Sequence, residues 1–361
     1  MADHSSIEWT DATWNPITGC SVVSPGCTNC YAMKLAGTRL KHIDSRKGLT
    51  RDTKAGPVWT GEVRLNRQWL YQPLDWKKPR RIFVCAHGDL FAENVPDEWI
   101  LDVFTVMAAA DHHTYQVLTK RSDRMREFLS RRDLLDDIYA NWYTFTGKPA
   151  EVYSWPLHNV WCGVSAEDQK RADERVPDLI GTPAKIRFVS AEPLLGSLDI
   201  AWALSPNRLD IGAGFLTRGS FSPGLETLRP LDWVIAGGES GPDARPMHPS
   251  WPRLIRDQCA ATGVPFFFKQ WGAWMPDFEK CENFPDDDAE QSRFPTCVWD
   301  VDKQRFEKTN GSWDDPENWI TATDYWQPEQ PMTRIGKKRA GRLLDGVEHN
   351  GMPQYRELPV S

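Results

Sequence analysis

Three cysteines fall within one short Gly/Pro/Ser-containing loop, Gly19-Cys20-Ser-Val-Val-Ser-Pro-Gly-Cys27-Thr-Asn-Cys30-Tyr31-Ala32, and this spacing points to metal chemistry. Structural cysteines scatter along strands and helices as small apolar residues. A loop that brings three thiolates together must offset their mutual repulsion with a cation. No second Cys-x2-Cys pair exists among Cys85, Cys162, Cys259, Cys281 and Cys297 to close a four-ligand structural site. A metal held by Cys20, Cys27 and Cys30 keeps one position open for reaction.

A second set of chemically capable residues follows a series of short apolar runs. Arg81–Ala86, Thr114–Thr119, Val160–Val164, Ile186–Val189, Trp233–Ala236 and Val264–Phe268 read as strands. Helical patterns at Tyr31–His42, Pro96–Ala110, Asp123–Arg131 and Pro252–Ala261 lie between or before them. This alternation predicts an α/β fold with parallel βαβ units. The strands are followed by Gly88-Asp89, Thr119-Lys120-Arg121, Ser165-Ala166-Glu167-Asp168, Ser190-Ala191-Glu192-Pro193, Gly238-Glu239-Ser240 and Lys269-Gln270-Trp271. In parallel sheets and barrels functional residues collect at these C-terminal strand ends, so the six groups are expected to form one rim. Ser165, Asp168 and Ser240 are equally suited to cap helices.

Asp133–His158 and Leu204–Pro230 break the rhythm and read as insertions. The expected organisation is a β/α barrel over residues 1–274, followed over 275–361 by an acidic, Trp-rich segment and a short basic helix within Arg334–Asp345. The Gly-Lys-Lys of that helix lacks the upstream glycines and strand of a phosphate loop.

At 361 residues the chain can bury a large core, and its charge of -7 argues against a uniformly basic nucleic-acid-binding surface. Two local basic groups remain, Lys120/Arg121/Arg124/Arg126/Arg131/Arg132 and Lys337/Lys338/Arg339/Arg342, together with 18 tryptophans, some of which could stack on bases or sugars. No run approaches the roughly 18 apolar residues of a membrane span, and MADHSSIEWTDATWN has no signal-peptide character, so a cytoplasmic protein with no membrane partner is expected. In a reducing compartment the eight cysteines favour metal binding over disulfides.

The segment TWNPITGCSVVSPGCTNCYA resembles the radical S-adenosylmethionine superfamily, closest to its spore photoproduct lyase-like branch, with its Asn-Pro, Gly-Cys and Cys-x-x-Cys-Tyr-Ala elements. The general likeness spans residues 13–270, and the whole chain, with its Arg-Ile-Gly-Lys-Lys ending, resembles a phage-associated three-Cys-motif family. The resemblance implies a partial (β/α)6-type parallel barrel with insertions and a C-terminal appendage. It implies a [4Fe-4S] cluster on Cys20, Cys27 and Cys30, with S-adenosyl-L-methionine on the open iron. Reduction by a one-electron donor such as flavodoxin or ferredoxin would then yield a 5'-deoxyadenosyl radical that attacks a nucleic-acid or nucleotide-derived substrate.

By the same resemblance, Asp89 stands after the second barrel strand where the methionine amino group is contacted, and Lys120 matches a lysine that meets its carboxylate. Tyr31, Glu192 and Glu239 complete the expected cofactor and substrate face. Two departures affect the cluster loop: the spacing from Cys20 to Cys27 is longer than in the common motif, and Asn29 replaces the aromatic before the third cysteine. Gly237-Gly238-Glu239 looks like the superfamily's methionine-binding string but follows a late strand, so that role is not carried over to it. Two other classes remain open. One is a noncatalytic nucleic-acid-binding protein whose zinc is completed by a histidine such as His87. The other is a β/α-barrel hydrolase working through Glu192 and Glu239.

Overall fold

The computed structural model describes residues 5, 7–149, 154–205, 230–276, 296–300, 305–308 and 331–354. Seven parallel strands form its centre: β1 (Ala12–Trp14), β2 (Arg81–Val84), β3 (Thr114–Thr119), β4 (Val160–Ser165), β5 (Ile186–Ala191), β6 (Trp233–Gly237) and β7 (Phe266–Gln270). They pair in strictly sequential order and curl into a half-barrel flanked by helices, which is the expected α/β architecture. The principal helices are α1 (Tyr31–Gly37), α2 (Asp97–Ala109), α3 (Ser122–Leu129), α4 (Leu134–Thr146), α5 (Gln169–Gly181) and α6 (Ser250–Thr262).

The strands are apolar on both faces because both faces are covered. Ile82, Val84, Cys162, Val164, Val189, Val234, Ala236, Phe266 and Phe268 pack in the larger core beneath the helices. The alternate residues Phe83, Trp161, Phe188, Trp233, Ile235 and Phe267 fill the concave side. Trp233 is their hub, with ring centroids 5.6 Å from Phe188, 6.0 Å from Trp9 and Trp161, and 6.2 Å from Phe267. Gly163 is required here, since a Cβ would stand 2.4 Å from the Phe188 ring. The aromatic plug occupies the earlier strand positions, and the polar residues stand at the later ones. The half-barrel is therefore closed at one end and chemically equipped at the other.

Three of these strands and helices are absent from the sequence pattern. β1 has only three residues, too few for a period to register. Asp133–His158, read as an insertion, contains α4, which packs on α2 through buried Leu134 and Ile138. Gln169–Gly181 was not assigned, and its helix carries Pro177, a residue that disguises helical sequence.

The C-terminal segment folds back onto the sheet edge. Trp274–Pro276 pairs with Met332–Arg334 in a small antiparallel sheet that includes Thr296–Asp300 and Arg305–Lys308. The basic helix shrinks to Lys337–Ala340, bounded by Gly336 and Gly341 at positive φ, and a hairpin of Leu343–Leu344 and Val347–Glu348 follows. The Phe268 N–H then donates to the His349 carbonyl at 2.9 Å and the Trp233 indole to Gly351 O at 2.7 Å, covering the otherwise open edge of β7. The central part of the expected 204–230 insertion and much of the acidic Trp-rich segment lie outside the described residues. Among the described residues no helix is long and apolar enough to cross a membrane.

Candidate functional site

The cysteine loop leaves β1 through Gly19, whose φ of 97° and whose absent Cβ, which would fall 2.2 Å from Glu62 O, make glycine the only fitting residue. The Gly19 N–H donates to His87 O at 3.2 Å, and Asn15 Oδ1 accepts from the His87 N–H at 2.9 Å. The loop is thus stitched from its first residue to the segment that follows β2.

Three strand ends then fasten it. After β3, Arg121 donates from Nη1 to Cys20 Sγ at 3.4 Å and from Nη2 to Ser21 O at 3.1 Å. After β4, the fully buried Glu167 accepts the Gly26 N–H at 3.0 Å on Oε1 and Arg175 at 3.0 Å on Oε2. A Cβ on Gly26 would lie 3.0 Å from that carboxyl carbon, so glycine lets the loop rest on it. After β6, Glu239 accepts from Asn29 Nδ2 at 3.0 Å and from Arg245, whose Nη2 also donates to Pro25 O at 3.0 Å. Three polar groups from three strands hold the stretches around Cys20, between Cys20 and Cys27, and between Cys27 and Cys30.

The third cysteine precedes α1, and the backbone N–H groups of Ala32 and Met33 favour its thiolate. Burial nevertheless raises the Cys30 thiol pKa and pushes Cys20 up to about 12, where nearby Asp89 adds to the rise and Arg121 opposes it. Neighbouring sulfur charge adds to these rises, from Cys27 and Cys30 at Cys20 and from Cys27 at Cys30. Such a trio becomes anionic when further positive charge joins it. Among the described residues no three of His, Cys, Asp and Glu are gathered as ligands of a single ion.

Asp89 lies after β2 as expected, and its carboxylate is fully engaged within the protein. Oδ1 accepts from Thr119 Oγ1 at 2.7 Å and the Phe91 N–H at 3.0 Å, while Oδ2 accepts from the Lys120 N–H at 3.1 Å and Arg121 at 3.2 Å. It orients the arginine that reaches Cys20. Glu93 completes the cradle, 3.0 Å from the same guanidinium.

Facing the concave side, Glu192 forms an ion pair with Lys269 at 3.1 Å and accepts from Ser190 at 3.2 Å. Gly237 leaves it room, since a Cβ there would stand 2.7 Å from Oε1. Tyr31 is 52% exposed along its ring but tucks its hydroxyl inward to donate to Ala86 O, and the burial of that end, with Cys30 and Glu192 nearby, pushes its phenol pKa up. Lys120 is near enough to Cys30 and Glu167 to favour their anionic forms, and among the described residues its ammonium has no hydrogen-bond or ion-pair partner. Tyr31, Lys120, Glu192 and Lys269 therefore stand at the mouth beside the cysteines, whereas Asp89 and Glu239 serve the loop.

The first basic group is differently employed. Arg121, Arg124, Arg126 and Arg131 pair with Asp89 and Glu93, Asp97, Asp178, and Asp133 and Asp137 respectively. Asp168 caps α5, accepting the Arg171 N–H at 3.0 Å. Sequence reasoning gave no role to Arg245, Glu93 or Asn29 as fasteners. Their signal was only that each lies near a cysteine or a strand end.

The family described as "Protein of unknown function (DUF5131)" matches residues 4–353, and the chain belongs to it. No curated protein and no solved structure matches the chain.

Proposed function

We propose that the chain is a radical S-adenosylmethionine enzyme acting on a nucleic-acid or nucleotide-derived substrate. The observation that carries this reading is the fastening of the three-cysteine loop, by Arg121, Glu167 and Glu239, at the polar end of a parallel half-barrel. The donor set fits a [4Fe-4S] cluster: three thiols, a guanidinium on one of them, and a helix start with the nearby Lys120 ammonium at another. Cys20, Cys27 and Cys30 would hold the cluster, and its chemistry when loaded is one-electron reductive cleavage of S-adenosylmethionine.

The chain's own residues supply position and charge. Lys120 offers an ammonium, unpaired among the described residues, to a cofactor carboxylate. Glu192, balanced by Lys269, offers a carboxylate to its amino group or ribose. Asp89 and Glu239 support the loop and Arg121. A flavodoxin- or ferredoxin-like donor would deliver the electron. The hydrolase alternative needs one protonated carboxyl, yet Glu239 is kept ionised by Arg245 and Asn29 against the opposing effect of burial, and Glu192 is paired with Lys269.

Anaerobic purification with iron and sulfide analysis tests the reading. About four irons with matching sulfide are expected, lost on substitution of any of Cys20, Cys27 and Cys30 by Ala. Dithionite-reduced protein should release 5'-deoxyadenosine from S-adenosylmethionine. Stoichiometric zinc without recoverable iron would overturn it.

A further inference from the structure

Arg46 is buried, with 5% of its surface exposed, in the loop that links α1 to the following hairpin. Its bonds are few. Nη1 donates to Ser45 Oγ at 2.8 Å and to Ser45 O at 3.3 Å, Nε has no partner among the described residues, and the guanidinium carbon lies 6.0 Å from the centre of the Trp69 ring. No carboxylate among the described residues pairs with it, and the charged group that acts on it most is another cation, Arg64. Arg64 itself is spent on the carbonyls of Asp44 and Lys47.

The next neighbour is also basic. His87, after β2, feels the Arg46 charge and carries a buried Nδ1 with no partner among the described residues. The loop is fixed against the route into the cysteines, for Ser45 O accepts from Thr18 Oγ1 at 2.7 Å, two residues before Cys20. His87 in turn lies edge-on to Tyr31, with ring centroids 6.1 Å apart. A buried guanidinium without a counter-charge is strongly disfavoured, and proteins keep one where an anion completes the site. A planar fork with free N–H groups, supported by an imidazole, matches the oxygens of a phosphate better than a single carboxylate oxygen.

We propose that the Arg46 guanidinium, with Arg64 reinforcing its field and the neutral His87 ring nearby, binds a phosphate group on the β1–β2 side of the candidate site. The phosphate is that of a nucleotide-derived substrate or free inorganic phosphate. The site rests on the proposed function only for that source, since anion binding here needs neither iron nor S-adenosylmethionine.

Thermal denaturation of the full chain in phosphate-free buffer tests it, with added inorganic phosphate, a nucleoside monophosphate, the parent nucleoside, or chloride at matched ionic strength. Wild type should gain about 3 °C with phosphate and with the monophosphate, and nothing with the nucleoside or chloride. Arg46→Met should lose the phosphate response while melting no lower than wild type without phosphate, because an unpaired buried charge has been removed. Should that variant fail to fold, Arg46→Lys decides, and a diminished phosphate response is expected from the loss of the fork. A response to inorganic phosphate alone supports the site and assigns it to the free ion. Equal melting of wild type in phosphate and chloride, or an undiminished phosphate response in the folded Arg46 variant, overturns the proposal.

Discussion

Arg121 and Cys20 are 101 residues apart in sequence, and Nη1 of the first lies 3.4 Å from Sγ of the second. The same guanidinium is gripped by Asp89 at 3.2 Å and Glu93 at 3.0 Å, so it cannot swing away to solvent. Its side chain is only 6% exposed. A fixed cation on a buried thiol counters the desolvation that otherwise disfavours the thiolate.

If the loop holds the proposed cluster, Arg121→Met should leave that cluster harder to reduce. Hydrogen bonds to sulfur and local positive charge both raise cluster potentials, and a fall of about 50 mV is the expected order. Potentiometric titration followed by electron paramagnetic resonance measures it, with Arg121→Lys expected to recover part of the shift. An unchanged potential in a fully loaded Arg121→Met protein would show that the contact does not tune the site.

Glu167 is the buried partner of both Gly26 and Arg175. Glu167→Ala strands the Arg175 charge, which is 7% exposed, and should cost about 3–5 kcal/mol in urea denaturation. Arg175→Met/Glu167→Met should recover much of that stability while leaving the loop untied. Poor iron retention in the recovered double variant separates the fastening of the loop from global stability. Full retention would show that Glu167 is not needed to hold it.

The strand ends were legible because each apolar run was long enough to show its burial and each stopped at a polar group. Lys120 and Glu192 were found this way and stand at the mouth. Asp89 and Glu239 were found equally well but are committed to Arg121 and to Asn29 with Arg245. Sequence position cannot tell a strand-end carboxylate that faces a ligand from one that faces a loop, since the difference is set by which distant donors arrive. The ion-pair partners of the basic run after β3 were hidden for the same reason, its carboxylates being as remote as Asp178. β1 was missed because three residues carry no period, although the chemistry that follows it was the clearest signal in the chain.

His87 predicts an acid limb to the stability profile. Burial, then the Arg46 charge, pushes its pKa down to about 4, whereas the unfolded chain titrates near 6.5. The folded state keeps the ring neutral, so this contribution is complete above pH 6.5 and is lost as pH falls toward 4. Between pH 6.5 and 5, above most carboxylate titrations, wild type should lose up to about 2 kcal/mol, and His87→Gln should lose less. Parallel profiles for the two proteins in urea titrations across that range would dismiss His87 as the source.

Lys120 is the sharpest test of where the proposed cofactor would sit. It lies at the end of β3 beside Cys30 and Glu167, is only partly exposed, and has no partner among the described residues to lose. Lys120→Ala should therefore leave folding and iron content near wild type, unlike substitutions at Glu167 or Arg121. If its ammonium meets the S-adenosylmethionine carboxylate, the missing charge-assisted bond should weaken binding about tenfold or more. Equilibrium binding of S-adenosylmethionine to the anaerobic, iron-loaded variant reads this directly, and Lys120→Arg should restore part of the affinity. Unaltered affinity in Lys120→Ala would move the proposed cofactor carboxylate away from β3, leaving Lys269, near the C-terminal end of β7 and paired with Glu192, as the next cation to examine.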